Sequence, residues 1–150
     1  HPDSTATGAF RVEATTHLFD PGTRNEAYGI FVGGDDLMGS YQRYTYFLVR
    51  RSGEYLIKQR VSSTSTETLV DWTAHPAVVA WDEREDGSDS ARNALAVAVG
   101  RDELVFSVNG EEVDRVPRSG LSVEGVTGVR VNHALDVHVS GFEVSPLGDG

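Results

Sequence analysis

The sequence contains no cysteine and a single lysine, and its apolar runs are all short. Without cysteine, the chain can form neither a disulfide framework nor a thiolate metal site. No apolar run approaches the roughly 20 residues that a membrane-spanning helix needs, so no transmembrane segment is predicted. No stretch keeps apolar residues at helical spacing over three turns, so the sequence predicts no significant helix.

The formal charge of the 150-residue chain is strongly negative, at −10. Such a surface repels phosphates, which argues against nucleic acid or an anionic membrane as the main partner. A chain of this length can bury a substantial core, and no repeat or linker divides it. We therefore expect one domain over residues 1–150, with its core within about 10–144 and polar termini. The chain starts at His1 instead of Met, which leaves a preceding signal peptide or anchor open.

The strongest local pattern lies in residues 93–113. Apolar side chains alternate with small or polar ones over residues 95–99 and again over 104–108, which is the period of a strand with one buried face. Asn109-Gly110 then offers two residues that tolerate positive φ, as a type I′ turn requires. This segment predicts three antiparallel strands joined by tight turns.

Short alternating segments separated by turn residues fill the rest of the chain. About ten to twelve short strands at this spacing predict an all-β, two-sheet antiparallel sandwich. The further segments are residues 10–15, 28–32, 41–51, 54–62, 69–80, 126–132 and 135–144, with Gly141 as an expected bulge.

The strand at residues 41–51 carries most of the aromatic side chains that could bind a ligand. Alternation puts Tyr44, Tyr46, Leu48 and Arg50 on one face and sends Phe47 and Val49 into the core. Ser52-Gly53 is expected to turn the chain into the next strand, which would bring two more side chains onto the same face. The resulting candidate partner- or ligand-binding residues are Tyr44, Tyr46, Arg50, Tyr55 and Gln59.

Three interpretations of this tyrosine face stay open. Sugars stack on exposed aromatic rings beside hydrogen-bonding neighbours. A face rich in tyrosine and arginine is also typical of protein docking surfaces. Alternatively, the tyrosines fill a second layer of the sandwich. Trp72 and Trp81 are expected to cap the core.

Several motifs resemble the concanavalin A-like jelly-roll superfamily, and most closely the bacterial laminin-G-like and 3-keto-disaccharide hydrolase-like domains. The resemblance covers about residues 10–144 and implies a jelly-roll sandwich in an extracytoplasmic bacterial protein, periplasmic or secreted. It also implies a curved sheet whose concave face binds, but no matched position is catalytic. The matching stretches are YGIFVGG at 28–34, YTYFLVR at 44–50, GEYLI at 53–57, Trp72, N-x-L-x-V from Asn93 and F-x-V-N-G from Phe106.

The carboxylates suggest a metal more readily than catalysis. Asp35-Asp36 follows two glycines, and such a loop could supply oxygen ligands to calcium at the rim of the sandwich. A retaining glycosidase needs two carboxyl groups about 5 Å apart. Glu13 stands alone on its strand, Glu54 begins at a turn, and the acidic residues 82–86 have no apolar neighbours to raise a pKa. No catalytic residue and no other cofactor is predicted.

These observations lead to a ranked set of functions. The leading hypothesis is a non-catalytic extracytoplasmic interaction module, an accessory or structural domain that docks on a larger bacterial protein assembly. The alternative is a carbohydrate-binding module that uses a concave tyrosine face. A glycoside hydrolase-like enzyme is the least favoured, because it depends on fold-level analogy alone.

Overall fold

The computed structural model describes residues 4–6, 9–19, 27–35, 43–62, 64–84, 88–121, 123, 125–131 and 136–147. These ranges contain eleven strands and one 3₁₀ turn, Trp81–Glu83. No helix among them is long and apolar enough to cross a membrane. The strands are β1 Ser4–Ala6, β2 Phe10–Phe19, β3 Tyr28–Asp35, β4 Arg43–Arg50, β5 Glu54–Arg60, β6 Thr66–Ala74, β7 Ser90–Val99, β8 Glu103–Val108, β9 Glu111–Pro117, β10 Gly125–Val131 and β11 Asp136–Pro146.

The strands form two antiparallel sheets that pack face to face. One sheet has the order β1-β10-β3-β4-β5-β6 and the other has the order β11-β2-β7-β8-β9. Alternate residues of β2, β3, β4, β5, β7 and β8 point into a shared core, and the rings of Phe47 and Phe106 meet there with centroids 5.1 Å apart. The prediction of an all-β, two-sheet antiparallel sandwich is confirmed.

The hairpin β8–β9 agrees with its sequence pattern. Asn109 has φ 54° and Gly110 has φ 84°, the two positive values of a type I′ turn. Val108 pairs with Glu111 across it, so the loop has two residues. The predicted bulge near Gly141 is also present, because the pairing of β11 with β2 shifts between Val139 and Gly141.

A polar network around the buried Asn93 fixes the segment between β6 and β7 onto the core. The side chain of Asn93 is fully buried. Its Oδ1 accepts from the N–H of Val79 at 2.8 Å and its Nδ2 donates to the carbonyl of Val79 at 3.1 Å. Asn109 Nδ2 donates to Asn93 Oδ1 at 3.1 Å and to the Ala77 carbonyl at 2.8 Å, while Tyr28 hydrogen-bonds to Asn93.

The hairpin β4–β5 has a three-residue loop, not the two-residue turn expected at Ser52-Gly53. Arg50 pairs with Glu54, and the N–H of Gly53 donates to the Arg50 carbonyl at 3.0 Å. Gly53 has φ 85°, as expected of a three-residue loop that ends in a left-handed residue. The pairing is therefore offset by one residue from the expected one, and this offset decides which side chains share a face.

Candidate functional site

The two faces of the six-stranded sheet carry separate clusters of apolar side chains. The inner face contributes Phe47, Val49 and Ile57 to the sandwich core. The opposite face, here called the outer face, holds a second cluster in which Tyr46, Leu48 and Leu56 are 4%, 5% and 4% exposed. Partly buried side chains surround this second cluster: Ala27, Phe31, Tyr44 and Trp72.

Cross-strand pairing arranges the outer face in rows. Tyr44 lies opposite Arg60, and Tyr46 lies between Phe31 and Lys58. Leu48 lies between Gly29 and Leu56, and Gly29 in turn pairs with Arg130 of β10. Basic and aromatic side chains thus become neighbours although they come from four different strands.

The tyrosine end of the outer face is defined by Tyr44, Tyr46, Lys58, Arg60 and Arg130. The Arg130 guanidinium carbon lies 4.4 Å from the centre of the Tyr46 ring and 5.9 Å from that of Tyr44. Arg60 Nε donates to the Tyr44 hydroxyl at 3.1 Å. Such cation–ring contacts hold the guanidinium groups in place.

The tryptophan end of the outer face is defined by Trp72, Arg50 and Glu54. The Arg50 guanidinium carbon lies 4.0 Å from the Trp72 ring centre, and Arg50 Nη2 lies 2.7 Å from Glu54 Oε1. Ser52 Oγ donates to the same oxygen at 2.6 Å. The hydrogen bond from Ser52, followed by that from Arg50, lowers the pKa of Glu54, so this carboxylate stays ionised.

Of the five predicted binding residues, three share the outer face and two do not. Tyr44, Tyr46 and Arg50 lie on the outer face as expected, with Arg50 at its tryptophan end. Tyr55 and Gln59 lie on the inner face and are 3% and 7% exposed, which corrects the expectation of a common face. The physical reason is the three-residue loop, which pairs Tyr55 with Val49 and Gln59 with Thr45.

Tyr55 instead connects the two sheets. Its hydroxyl contacts the Val113 carbonyl at 3.1 Å and donates to Asp114 Oδ2 at 2.8 Å. Burial, reinforced by Asp114, raises its pKa to about 12. A hydroxyl held this way stabilises the sandwich and is turned away from the outer face.

The sequence interpretation missed several outer-face residues. Phe31, Lys58 and Arg60 follow from strand alternation once the hairpin register is known. Trp72 was expected to cap the core, but it packs on the outer cluster because the pairing of β5 with β6 shifts between Tyr55 and Ile57. Arg130 reaches the site only through the pairing of β10 with β3, which has no local sequence signal. Trp81 does pack against the core, as predicted.

The predicted calcium ligands are only partly within the described ranges. Asp35 is exposed at the end of β3, opposite Arg43, whereas Asp36 lies outside the described residues. Among the residues that can be described, no group of three or more histidine and acidic side chains could hold a metal ion. Calcium at Asp35-Asp36 therefore stays a prediction.

Comparison with known proteins identifies the fold. No family model and no curated protein matches the sequence. Sheep galectin-11, solved in complex with glycerol, superposes with a TM-score of 0.67 at 15% identity, over 95% of this chain and 93% of that one. A tetrameric galectin from the ball sponge Cinachyrella sp. gives 0.65 at 10% identity, over 95% and 97%.

A bacterial structure is equally similar. The carbohydrate-binding module CBM66 from Bacillus subtilis gives a TM-score of 0.67 at 9% identity, over 95% of this chain and 76% of that one. At such identities the similarity establishes the fold alone. The predicted jelly-roll sandwich of the concanavalin A-like type is confirmed at that level, while the laminin-G-like and 3-keto-disaccharide hydrolase-like assignments stay predictions. The chain therefore has a jelly-roll sandwich fold similar to that of galectins.

Proposed function

We propose that this protein is a non-catalytic carbohydrate-binding module and that the outer face of the six-stranded sheet contacts the sugar. One observation carries the proposal: aromatic rings and cationic hydrogen-bond donors from five strands converge on this face, apart from the hydrophobic core. Sugar rings present apolar C–H faces that stack on aromatic side chains, and their hydroxyl oxygens accept hydrogen bonds from guanidinium groups.

The exposed fractions divide the rings into two roles. Tyr46, Leu48 and Leu56 are almost covered and form the floor of the site. Phe31, Tyr44 and Trp72 are partly accessible and are the rings on which a sugar can stack. Arg50 contacts both Trp72 and Glu54, so its guanidinium is already oriented before a ligand arrives. Such preorganisation reduces the entropy lost on binding.

The fold similarity favours this function over docking on a protein assembly. The similar structures include galectins and a protein whose name describes a carbohydrate-binding module. The aromatic and basic composition of the outer face would also suit a protein partner, so the preference for a sugar comes from the fold similarity. Periplasmic or secreted location stays a prediction that a sugar-binding role would suit.

The chemistry of the outer face also favours binding over hydrolysis. A glycosidase needs a carboxylic acid that stays protonated near neutral pH. Glu54 is a described carboxylate of the outer face, where it pairs with Arg50 across the strands. The hydrogen bonds that it accepts lower its pKa. Its surroundings therefore suit an ionised partner for Arg50 and not a general acid.

Tryptophan fluorescence provides a direct test, because the chain has two tryptophans and only Trp72 lies on the outer face. In a Trp81→Phe background, we expect saccharides that bind to change the emission of Trp72. Trp72→Ala should weaken binding measured by calorimetry by at least about tenfold, as expected for loss of a stacking ring. Trp81→Phe serves as the matched control and should keep wild-type affinity.

Two results would contradict the proposal. One is the absence of binding across a broad glycan array. The other is binding that Trp72→Ala leaves unchanged, since the sugar site would then lie elsewhere. Native mass spectrometry of the protein from its own source completes the test, because a fixed stoichiometric complex without glycan binding would restore the docking hypothesis.

A further inference from the structure

We infer that the saccharide bound by this protein is anionic and that its carboxylate or sulfate groups lie at the tyrosine end of the outer face. This inference rests on the proposed function, since it concerns the same surface. The supporting observation is that basic side chains gather at one end of the outer face, although the chain as a whole is acidic.

The tyrosine end is basic, in contrast to the chain's net charge of −10. Three cationic side chains adjoin Tyr44 and Tyr46: Lys58 by cross-strand pairing, and Arg60 and Arg130 by contact with the rings. The uncharged ring of Phe31 contacts Tyr44 here, and Phe31 pairs with Tyr46 across the strands. The tyrosine end thus brings three cations next to two aromatic rings.

Arg130 is a cation of this end that lacks an acidic partner among the described residues. Its Nη1 atom is buried and has no hydrogen-bond partner among the described residues. No ion pair joins Arg130 or Lys58 to any acidic side chain within those ranges. A cation that is partly removed from water without a counter-ion is costly. An anionic group bound beside Tyr46 would lower that cost and gain charge-assisted hydrogen bonds from the accessible donors.

The tryptophan end differs because its arginine already has a carboxylate. Arg50 is paired with Glu54 at 2.7 Å, so this end carries little net charge. Arg50 and Tyr44 are six residues apart on one strand, which corresponds to roughly 20 Å. A chain of several sugar units could therefore stack on Trp72 through an uncharged ring while an acidic unit meets Lys58 and Arg130.

The test compares saccharides that share a backbone and differ in charge. Binding is measured by calorimetry for polygalacturonate against its methyl ester, and for dextran sulfate against dextran. We expect both acidic polymers, or one of them, to bind at least about tenfold more tightly than the uncharged counterpart, with an affinity that falls as salt is raised. Preference for polygalacturonate identifies carboxylate as the recognised group, and preference for dextran sulfate identifies sulfate.

Variants locate the charge. Lys58→Gln and Arg130→Gln should each weaken binding of the acidic polymer by about tenfold, the loss expected for one charge-assisted contact. Arg101→Gln is the matched control, because Arg101 is exposed in the β7–β8 turn of the other sheet and should leave binding unchanged. Lys58→Gln keeps the test informative if Arg130→Gln lowers the melting temperature.

The possible failures are distinguishable. Equal binding of charged and uncharged polymers overturns the anionic assignment and leaves the proposed function standing. An acidic preference that all three variants reduce equally also overturns it, because the attraction would then be a property of the whole surface. Binding of an oligothymidylate in place of every saccharide overturns both this inference and the proposed function.

Discussion

Removal of the Asn93 side chain tests whether the polar network around it holds the sandwich together. Asn93→Ala deletes the acceptor for the Val79 N–H and for Asn109 Nδ2, as well as the donor to the Val79 carbonyl. The Tyr28 hydroxyl retains Thr16 as a partner. The variant therefore leaves two backbone groups of Val79 without their partners inside the protein.

The expected loss follows from those two groups. An unsatisfied buried donor or acceptor costs about 1–3 kcal/mol. Because Val79 is only partly buried, water can form hydrogen bonds with some of its backbone groups and reduce this cost. We expect Asn93→Ala to lower the free energy of unfolding by about 2–5 kcal/mol, a large fraction of the roughly 5–15 kcal/mol typical of a domain. Urea unfolding followed by tryptophan fluorescence measures this change.

Asn93→Asp has almost the same shape and provides a test by pH. The carboxylate can still accept from Val79, but it no longer donates to the Val79 carbonyl and carries a buried charge without a cation. Burial would raise the pKa of this carboxyl above its unfolded value of about 3.9. Relative to the wild type, Asn93→Asp should therefore lose little unfolding free energy at about pH 3.9 and below. The loss should grow as the pH rises through the folded-state pKa of the new carboxyl.

The control for both variants is Arg92→Ala, on the neighbouring exposed position, which should change stability by less than about 0.5 kcal/mol. If Asn93→Ala falls within the same limit, the network does not fix the segment around Val79. A deficit of Asn93→Asp that does not vary between pH 4 and 7 would show that its carboxyl is exposed to water.

Three further predictions concern stability. Burial raises the pKa of Tyr28 and Tyr55 to about 12. The stability that comes from burying these two neutral hydroxyls is fully present below pH 10, the ordinary tyrosine pKa, and is lost as the pH rises through 12. The urea concentration at the unfolding midpoint should therefore fall between pH 10 and 12. It should fall less steeply in Tyr55→Phe, which has one such hydroxyl fewer. Gly110→Val should cost about 1–3 kcal/mol by forcing a branched residue to φ 84°, and an unchanged melting temperature would contradict the turn assignment. Phe47→Ala should cost about 3–5 kcal/mol, and Tyr46→Ala less because the outer cluster contains fewer buried side chains than the core; equal losses would mean that both faces of β4 are core.

Local patterns were sufficient for most of the strands and most of the core, although β1 was not predicted and β6 Thr66–Ala74 begins and ends earlier than the predicted segment 69–80. Alternation alone sends Phe47 and Val49 inward and Tyr44 and Tyr46 outward, since the period of two is a property of the extended backbone. The pair Asn109-Gly110 predicts its own turn, because few other residues tolerate positive φ at both positions. Strand alternation and the turn depend on residues that are adjacent in the chain, so the sequence alone is enough to predict them.

The composition of the site depended on tertiary structure. One extra residue in the Arg50–Glu54 loop exchanges Tyr55 and Gln59 for Lys58 and Arg60 on the outer face, because a shift of one residue inverts every side chain of a strand. Arg130 joins Tyr46 through the pairing of β10 with β3, about a hundred residues after β3 begins. The amino-acid sequence by itself determined that one face of β4 would be aromatic. Only long-range strand pairing decided which cations surround it, since that pairing is set by packing of the whole sandwich.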